Sequence, residues 1–186
     1  MCKNRPMGYH HRSNGTTLTI ADASGYTEWD IAYRTYDWKI VRESVEDLLT
    51  FINDNCVDYF ELGKTVFVHG WVPTDATSDE DRTLAVLPDW RTGNWKEARW
   101  ENGMEMWHFN LIPEGHTVVC GHWHCSYGWS HLEHKYKEFP SPTHPDFQLS
   151  FMPYIRNGII AIDACTAHSG KVNCVVFNEK GELIDE

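Results

Sequence analysis

Two short apolar runs, each ending beside a histidine and a glycine, constrain this chain more than any other feature. The first run lies in residues 64–70 and ends at His69 and Gly70, and the second lies in residues 117–121 and is followed by His122 and His124. Apolar runs of this length, rich in β-branched residues and stopped by glycine, indicate strands buried in a sheet. Open α/β sheets bind ligands beyond the carboxyl ends of their strands. The histidines therefore lie where a ligand site is expected.

Metal binding is the chemistry that these residue types favour. Neutral imidazole is a good ligand for zinc, manganese and iron. Gly70 and Gly121 allow the backbone to turn sharply and to approach an ion closely. His122 and His124, two positions apart, can each turn a ring nitrogen toward a shared centre, and His69 approaches from the neighbouring strand. The candidate metal ligands are thus these three histidines.

A structural role is the competing interpretation of each histidine, because a histidine after a strand is often an ordinary hydrogen-bonded residue. The remaining histidines have no spacing that singles them out, and we interpret them as surface or structural residues: His10, His11, His108, His116, His131, His134, His144 and His168.

Other periodic segments indicate a mixed α/β chain. Apolar residues recur at three- and four-residue steps over residues 38–53, which predicts an amphipathic helix with Asp37 as its N-cap. Residues 158–163 and 171–178 are short apolar runs and predict two more strands. Residues 128–150 contain several prolines and predict a loop region.

Composition excludes some classes of partner. The formal net charge of −11 repels phosphate backbones, so we expect no binding of a nucleic-acid duplex. No apolar stretch reaches the roughly 18 residues that a membrane span needs. The amino terminus lacks an apolar signal core, so we expect a cytoplasmic protein.

The six cysteines are then expected to be reduced thiols, and those within apolar runs, such as Cys120 and Cys174, are expected to be buried.

Three motifs, in order, resemble the later motifs of the calcineurin-like metallophosphoesterases. They are Val-Phe-Val-His-Gly-Trp-Val-Pro at residues 66–73, Val-Val-Cys-Gly-His-Trp-His at residues 118–124, and Ile-Ala-Ile-Asp-Ala-Cys-Thr-Ala-His-Ser-Gly at residues 160–170. The resemblance is to the branch of serine/threonine protein phosphatases and diadenosine tetraphosphatases, and it spans roughly residues 37–178. It implies a hydrolase of phosphate esters with a phosphoprotein or a nucleotide as substrate.

The resemblance also implies a fold and a ligand set. The implied fold is a single α/β domain over residues 1–186, of the α+β sandwich type, in which two packed mixed β-sheets are flanked by helices. Two divalent metal ions (manganese, iron or zinc) are implied, with His69 and His122 on the second metal and His124 on the first. Arg99 resembles a substrate-phosphate arginine, although a solvated helix arginine is the competing interpretation.

The earlier motifs of that family are missing from this sequence. No Asp-x-His, Gly-Asp-x-x-Asp or Gly-Asn-His-Glu occurs, so the aspartate that bridges the two metals has no counterpart. We therefore expect an incomplete metallophosphoesterase fold from a truncated chain that is weakly active or inactive alone. The strand that carries His69 would then lie at an open sheet edge, through which the chain could self-associate.

Two alternatives remain open at this stage. One is a mononuclear zinc-binding module in which Cys120 or Cys125 joins the three histidines as the fourth ligand. The other is a metal-free interaction module that uses a tryptophan surface made of Trp95, Trp100, Trp107 and Trp129.

Overall fold

A computed structural model of the protein describes residues 8–13, 15–76 and 84–184. The chain divides into two compact units, Met1–Cys56 and Val57–Glu186. The expectation of a single domain stays a prediction. Over the described ranges, no helix combines the length and apolar character needed to cross a membrane.

The first unit is built from helices. In chain order they are α1 (Tyr9–Ser13), α2 (Thr16–Ser24), α3 (Glu28–Tyr33), α4 (Trp38–Ser44) and α5 (Glu46–Asn55). Its small core consists of Ala21, Ile31 and Val41, one residue from each of three helices. Every residue of α5 is exposed, so this helix contributes nothing to that core.

The predicted helix over residues 38–53 is present but interrupted. The Asp37 side chain accepts a hydrogen bond from the Lys39 backbone N–H, which confirms the predicted N-cap. Val45, at φ −110° and ψ 6°, departs from helical geometry and separates α4 from α5. The apolar periodicity continues across the break, which is why the sequence pattern does not reveal it.

The second unit contains a five-stranded mixed sheet and a two-stranded antiparallel sheet. In chain order the strands are β1 (Tyr59–Leu62), β2 (Thr65–Val68), β3 (Thr74–Ala76), β4 (Leu84–Val86), β5 (Thr117–Cys120), β6 (Tyr154–Arg156) and β7 (Ile159–Ala161). The larger sheet has the order β1-β2-β5-β7-β6, and its central strands β2, β5 and β7 are parallel. The strands predicted around residues 64–70, 117–120 and 158–163 are thus confirmed.

Short helices connect these strands. They are α6 (Trp95–Ala98), α7 (Gly103–His108), α8 (Cys125–Tyr127), α9 (Phe147–Ser150) and α10 (Thr166–Ser169), together with a 3-10 turn at Trp90–Thr92 and a π-helical turn at Gly128–Leu132. The predicted loop region at residues 128–150 is irregular between the π-helical turn and α9.

The prediction of a strand at residues 171–178 is wrong. Among the described residues, its β pairing is limited to an isolated bridge between Phe177 and Leu183. Its burial alternates along the chain as in a strand, but most of its backbone has no ladder partner. The same alternation leaves Cys174 exposed, so the expectation that this thiol is buried is also wrong.

The expected open edge beside the His69 strand is also not found. β1 pairs with β2 in an antiparallel register, with Tyr59 opposite Val68 and Leu62 opposite Thr65. The backbone groups of β2 therefore have partners on both sides, from β1 and from β5. The unpaired strand edge that we expected to mediate self-association is therefore not present on β2.

Trp71, directly after the His69-Gly70 motif, anchors the core of the second unit. Its side chain is completely buried, and its indole Nε1 donates a hydrogen bond to the Leu111 carbonyl at 2.7 Å. Its backbone N–H donates to the Ala98 carbonyl at 2.9 Å. A buried indole with a satisfied N–H contributes both apolar packing and a fixed orientation.

We predict that Trp71→Phe lowers the free energy of unfolding by about 2–4 kcal/mol, because the Leu111 carbonyl loses its partner and a void remains. Urea denaturation followed by circular dichroism measures the change. Trp123→Phe is the matched control, since Trp123 is 36% exposed. Equal stability of the two variants would contradict the role of Trp71.

Cysteine reactivity tests the burial pattern. Burial raises the pKa of the Cys125 thiol to about 12 and also raises that of Cys120. Because thiolates are the reactive species, iodoacetamide at pH 8 should alkylate the exposed Cys56 and Cys174 first and leave the two buried thiols intact until urea is added. Peptide mass spectrometry reads each site; Cys2 lies outside the described residues. Rapid alkylation of Cys120 in the folded chain would contradict this arrangement.

Candidate functional site

The parallel pairing of β2 with β5 brings two of the candidate histidines together. The register places Phe67 opposite Val119, and the pairing continues past the strands because the Gly121 N–H donates to the His69 carbonyl at 2.9 Å. The imidazole rings of His69 and His122 consequently lie with their centroids 4.9 Å apart, at an angle of 49°. The two rings therefore meet at the carboxyl ends of adjacent strands, and their role as metal ligands stays a prediction.

The sharp turn in this region is made by a histidine rather than by a glycine. His122 has φ 62°, in the left-handed region that few non-glycine residues occupy. Gly70 is needed for a different reason: a Cβ there would lie 2.6 Å from the Arg99 carbonyl oxygen. At Gly121 the nearest atom to an added Cβ is the His69 carbonyl oxygen at 3.7 Å, an ordinary contact.

Trp100 forms one side of the histidine pair. Its ring centroid lies 6.3 Å from that of His69 and 5.3 Å from that of His122, edge-on in both cases. The indole is 54% exposed, and His69 is exposed beside it, whereas His122 is half-buried. The pair is therefore open to solvent, with an aromatic wall that sequence spacing did not associate with it.

His124 has a separate set of neighbours. Its Nδ1 lies 2.8 Å from Ser126 Oγ, and its Nε2 lies 3.6 Å from Glu138 Oε1. The other oxygen of Glu138 lies 2.8 Å from His131 Nε2. Sequence reasoning missed Glu138 and left His131 among the unassigned histidines, because the loop that brings them to His124 has no periodic signal.

The electrostatics of this second cluster favour a neutral His124. Burial lowers the pKa of the His124 imidazole, and the nearby carboxylates of Glu138 and Asp163 offset this only in part. The Phe139 ring lies against it, with the centroids 4.6 Å apart. A neutral imidazole in a desolvated position can bind a metal only if a ring nitrogen is free.

The metal-ligating side chains of the described residues do not complete a dinuclear centre. Among residues 8–13, 15–76 and 84–184, no group of three or more His, Cys, Asp or Glu side chains is arranged to hold a metal ion. His69 and His122 carry imidazole nitrogens and no carboxylate, whereas a two-metal site also needs carboxylates to balance its charge. The assignment of His124 as a third ligand stays a prediction.

Arg99 is held by protein partners. Its Nη2 donates to Asp58 Oδ1 at 2.9 Å, and its Nε donates to the Trp95 carbonyl at 3.2 Å. The side chain is exposed, so the solvated-arginine interpretation matches its surroundings. A role in binding a substrate phosphate stays a prediction.

The zinc-thiolate alternative has little support. Cys120 is buried, and Cys125 is buried with its Sγ donating to the Ala161 carbonyl at 3.1 Å. Within the described part of the chain, neither thiol joins the candidate histidines in a group that could hold an ion.

The tryptophan surface of the interaction-module alternative is dispersed. Trp95 stacks on Tyr59 with the centroids 5.0 Å apart, and both rings are half-buried. The Trp107 and Trp129 indoles are also half-buried, and they donate to the backbone carbonyls of Asn157 and Met152, respectively. Of the four tryptophans in that proposed surface, only Trp100 is exposed.

No family model matches the chain, and no curated protein and no solved structure is significantly similar to it. The resemblance to metallophosphoesterases therefore rests on the order of the three motifs.

The two glycines beside the histidines provide a matched test of the site's geometry. We predict that Gly70→Ala destabilises the second unit by about 1–3 kcal/mol, since its Cβ would clash with backbone that cannot move aside. Gly121→Ala should change stability by less than about 1 kcal/mol, because the space there is ordinary. Thermal unfolding of both variants measures the difference. A Gly121→Ala variant that unfolds as early as Gly70→Ala would contradict the packing described.

Proposed function

We propose that this chain belongs to a metal-dependent phosphoesterase, a hydrolase of phosphate esters, and that His69 and His122 supply two imidazole ligands to one divalent cation. The observation that carries the proposal is the 4.9 Å separation of the two rings at the carboxyl ends of adjacent parallel strands. The order of the three motifs along the chain gives independent support. The finer fold assignment, an incomplete metallophosphoesterase fold with two packed mixed sheets, belongs to the same proposal.

The metal-ligating side chains of the chain determine what activity we expect of it alone. Two imidazoles bring no negative charge, so the cation would be held weakly, and a second metal lacks most of its ligands within the described residues. Ligands of a metal centre act as a unit in catalysis, so the loss of several costs orders of magnitude in rate. We therefore propose that the chain alone is weakly active or inactive.

The proposed partner is a phosphorylated substrate, either a phosphoprotein or a nucleotide. The net charge of −11 disfavours a nucleic-acid duplex, whereas a bound cation can reverse the field locally for a single phosphate group. A cytoplasmic setting is part of the proposal, and the free thiols of Cys120 and Cys125 favour it, since such compartments keep cysteines reduced.

A metal-free interaction module is the second candidate function. The absence of a three-donor group among the described side chains favours it. The two candidates differ in one property, namely whether a divalent cation binds at the histidine pair.

Cation binding tests the proposal directly. We predict that Mn²⁺ and Zn²⁺ bind the chain and that His69→Ala and His122→Asn each weaken this binding by about tenfold or more, because one of two ligands is removed. Asparagine is chosen at position 122 because it tolerates the positive φ. Isothermal titration calorimetry measures the affinities.

His108→Ala is the matched control, since His108 is exposed and lies outside the three motifs. Hydrolysis of p-nitrophenyl phosphate with Mn²⁺, assayed in parallel, should be slow in the parent chain and lost in His122→Asn. Equal cation affinity in all the variants would contradict the proposed function and favour the metal-free module.

A further inference from the structure

One face of the five-stranded sheet carries a row of apolar side chains that crosses all five strands. The strand registers place one residue of each strand in this row, and residues opposite one another point to the same face: Phe60, Phe67, Val119, Ile160 and Ile155. Val119 and Ile160 are buried, whereas Phe60 at one end is 57% exposed and Ile155 at the other end is 40% exposed. The apolar row is therefore covered in its middle and open at both ends.

The chain after residue 170 covers the middle of the row. Phe177 packs edge-on against Phe67, with the ring centroids 5.0 Å apart. Leu183, which faces Phe177 in the isolated antiparallel bridge, borders a cavity together with Ile155. The arm that carries Leu183 therefore lies toward β6, and the opposite side of the arm that carries Phe177 faces β1.

The side that faces β1 is a free strand edge. The Val176 carbonyl accepts a hydrogen bond from the Ile184 N–H at 2.8 Å, so Val176 directs its backbone groups toward the Leu183 arm. Successive residues of an extended chain direct their backbone groups to alternate sides. The groups that point toward β1 belong to three residues that have no backbone partner in the described part of the chain: Asn173, Val175 and Phe177.

The free edge, made of these three residues, is held in place at both ends. At one end, Asn173 Nδ2 donates a hydrogen bond to the Phe151 carbonyl at 2.8 Å. At the other end, the Thr65 hydroxyl donates to the Gly181 carbonyl at 2.6 Å, which fixes the turn that follows Phe177. An edge that is already ordered loses little conformational entropy when a partner binds to it.

We propose that an extended segment of another polypeptide adds as a strand to the free edge and covers the open end of the apolar row at Phe60. Unpaired backbone groups at every second residue favour a strand as the partner, because an extended chain presents donors and acceptors at the same spacing. The exposed Phe60 ring favours apolar side chains at alternate positions of that strand. Strand addition here does not depend on the cation or on the proposed hydrolysis.

The first experiment measures binding of a probe peptide to the full chain. The probe is fluorescein-labelled Thr-Val-Thr-Val-Thr-Val, and fluorescence anisotropy gives its affinity. Val175→Pro should weaken binding by about tenfold or more, because proline removes the N–H that would pair with the added strand. Phe60→Ser should weaken it by about fivefold, because the apolar contact is lost.

Two variants serve as matched controls. Val175→Thr keeps the backbone N–H, and Ile155→Ser removes an exposed apolar side chain at the other end of the row. Both should bind the probe as the parent chain does. Thermal unfolding of every variant confirms that it is folded.

The second experiment locates the added strand by amide hydrogen exchange, read by nuclear magnetic resonance. With the probe bound, the Val175 and Phe177 amides should exchange about tenfold more slowly. The Cys174 amide, which points to the other side of the segment, should keep its rate.

Several results would overturn the proposal. They are no detectable binding of the probe, or binding that Val175→Pro and Phe60→Ser leave unchanged. Equal weakening by Ile155→Ser would show adsorption to the apolar face without strand addition. Slower exchange at Cys174 in place of Val175 would put the probe on the wrong side of the segment.

Discussion

Parallel pairing of β2, β5 and β7 is the constraint on which the candidate site depends. Neighbouring strands in parallel register present the ends of their motifs at the same sheet edge, and here the pairing extends one residue beyond the strands through the Gly121 N–H and the His69 carbonyl. The Ile162 N–H continues the ladder on the other side, to the Cys120 carbonyl. The histidine pair is therefore a consequence of the sheet's register rather than of local sequence.

The buried central strands could be predicted from the sequence, and the elements at the periphery could not. Residues 64–70 and 117–120 are continuous apolar runs because both faces of a central parallel strand are covered. Residues 171–178 have an equally β-like composition, but their pairing within the described part of the chain is a single bridge, and a strand needs a longer pairing with a neighbour. The break at Val45 and the pairing of β1 with β2 also depend on tertiary context, which local patterns do not record.

The candidate site divides in the same way. The residues that follow central strands could be predicted, and the residues on irregular segments could not. His69 and His122 were found because His69 directly follows β2 and His122 follows β5 after one glycine, so that strand register brings them together. His124 follows in the same motif, but a turn in which His122 takes a left-handed conformation sends the chain in a new direction. Its neighbour Glu138 comes from an irregular segment, and only the folded chain reveals that contact.

Pulsed electron paramagnetic resonance of Cu²⁺ bound to the full chain tests the central claim most directly, because it counts the imidazole nitrogens that couple to one ion. The account predicts coupling to two histidine rings in the parent chain and to one ring in His69→Ala. Coupling to a single ring in both proteins, or a spectrum that His69→Ala leaves unchanged, would contradict the claim that His69 and His122 share a cation.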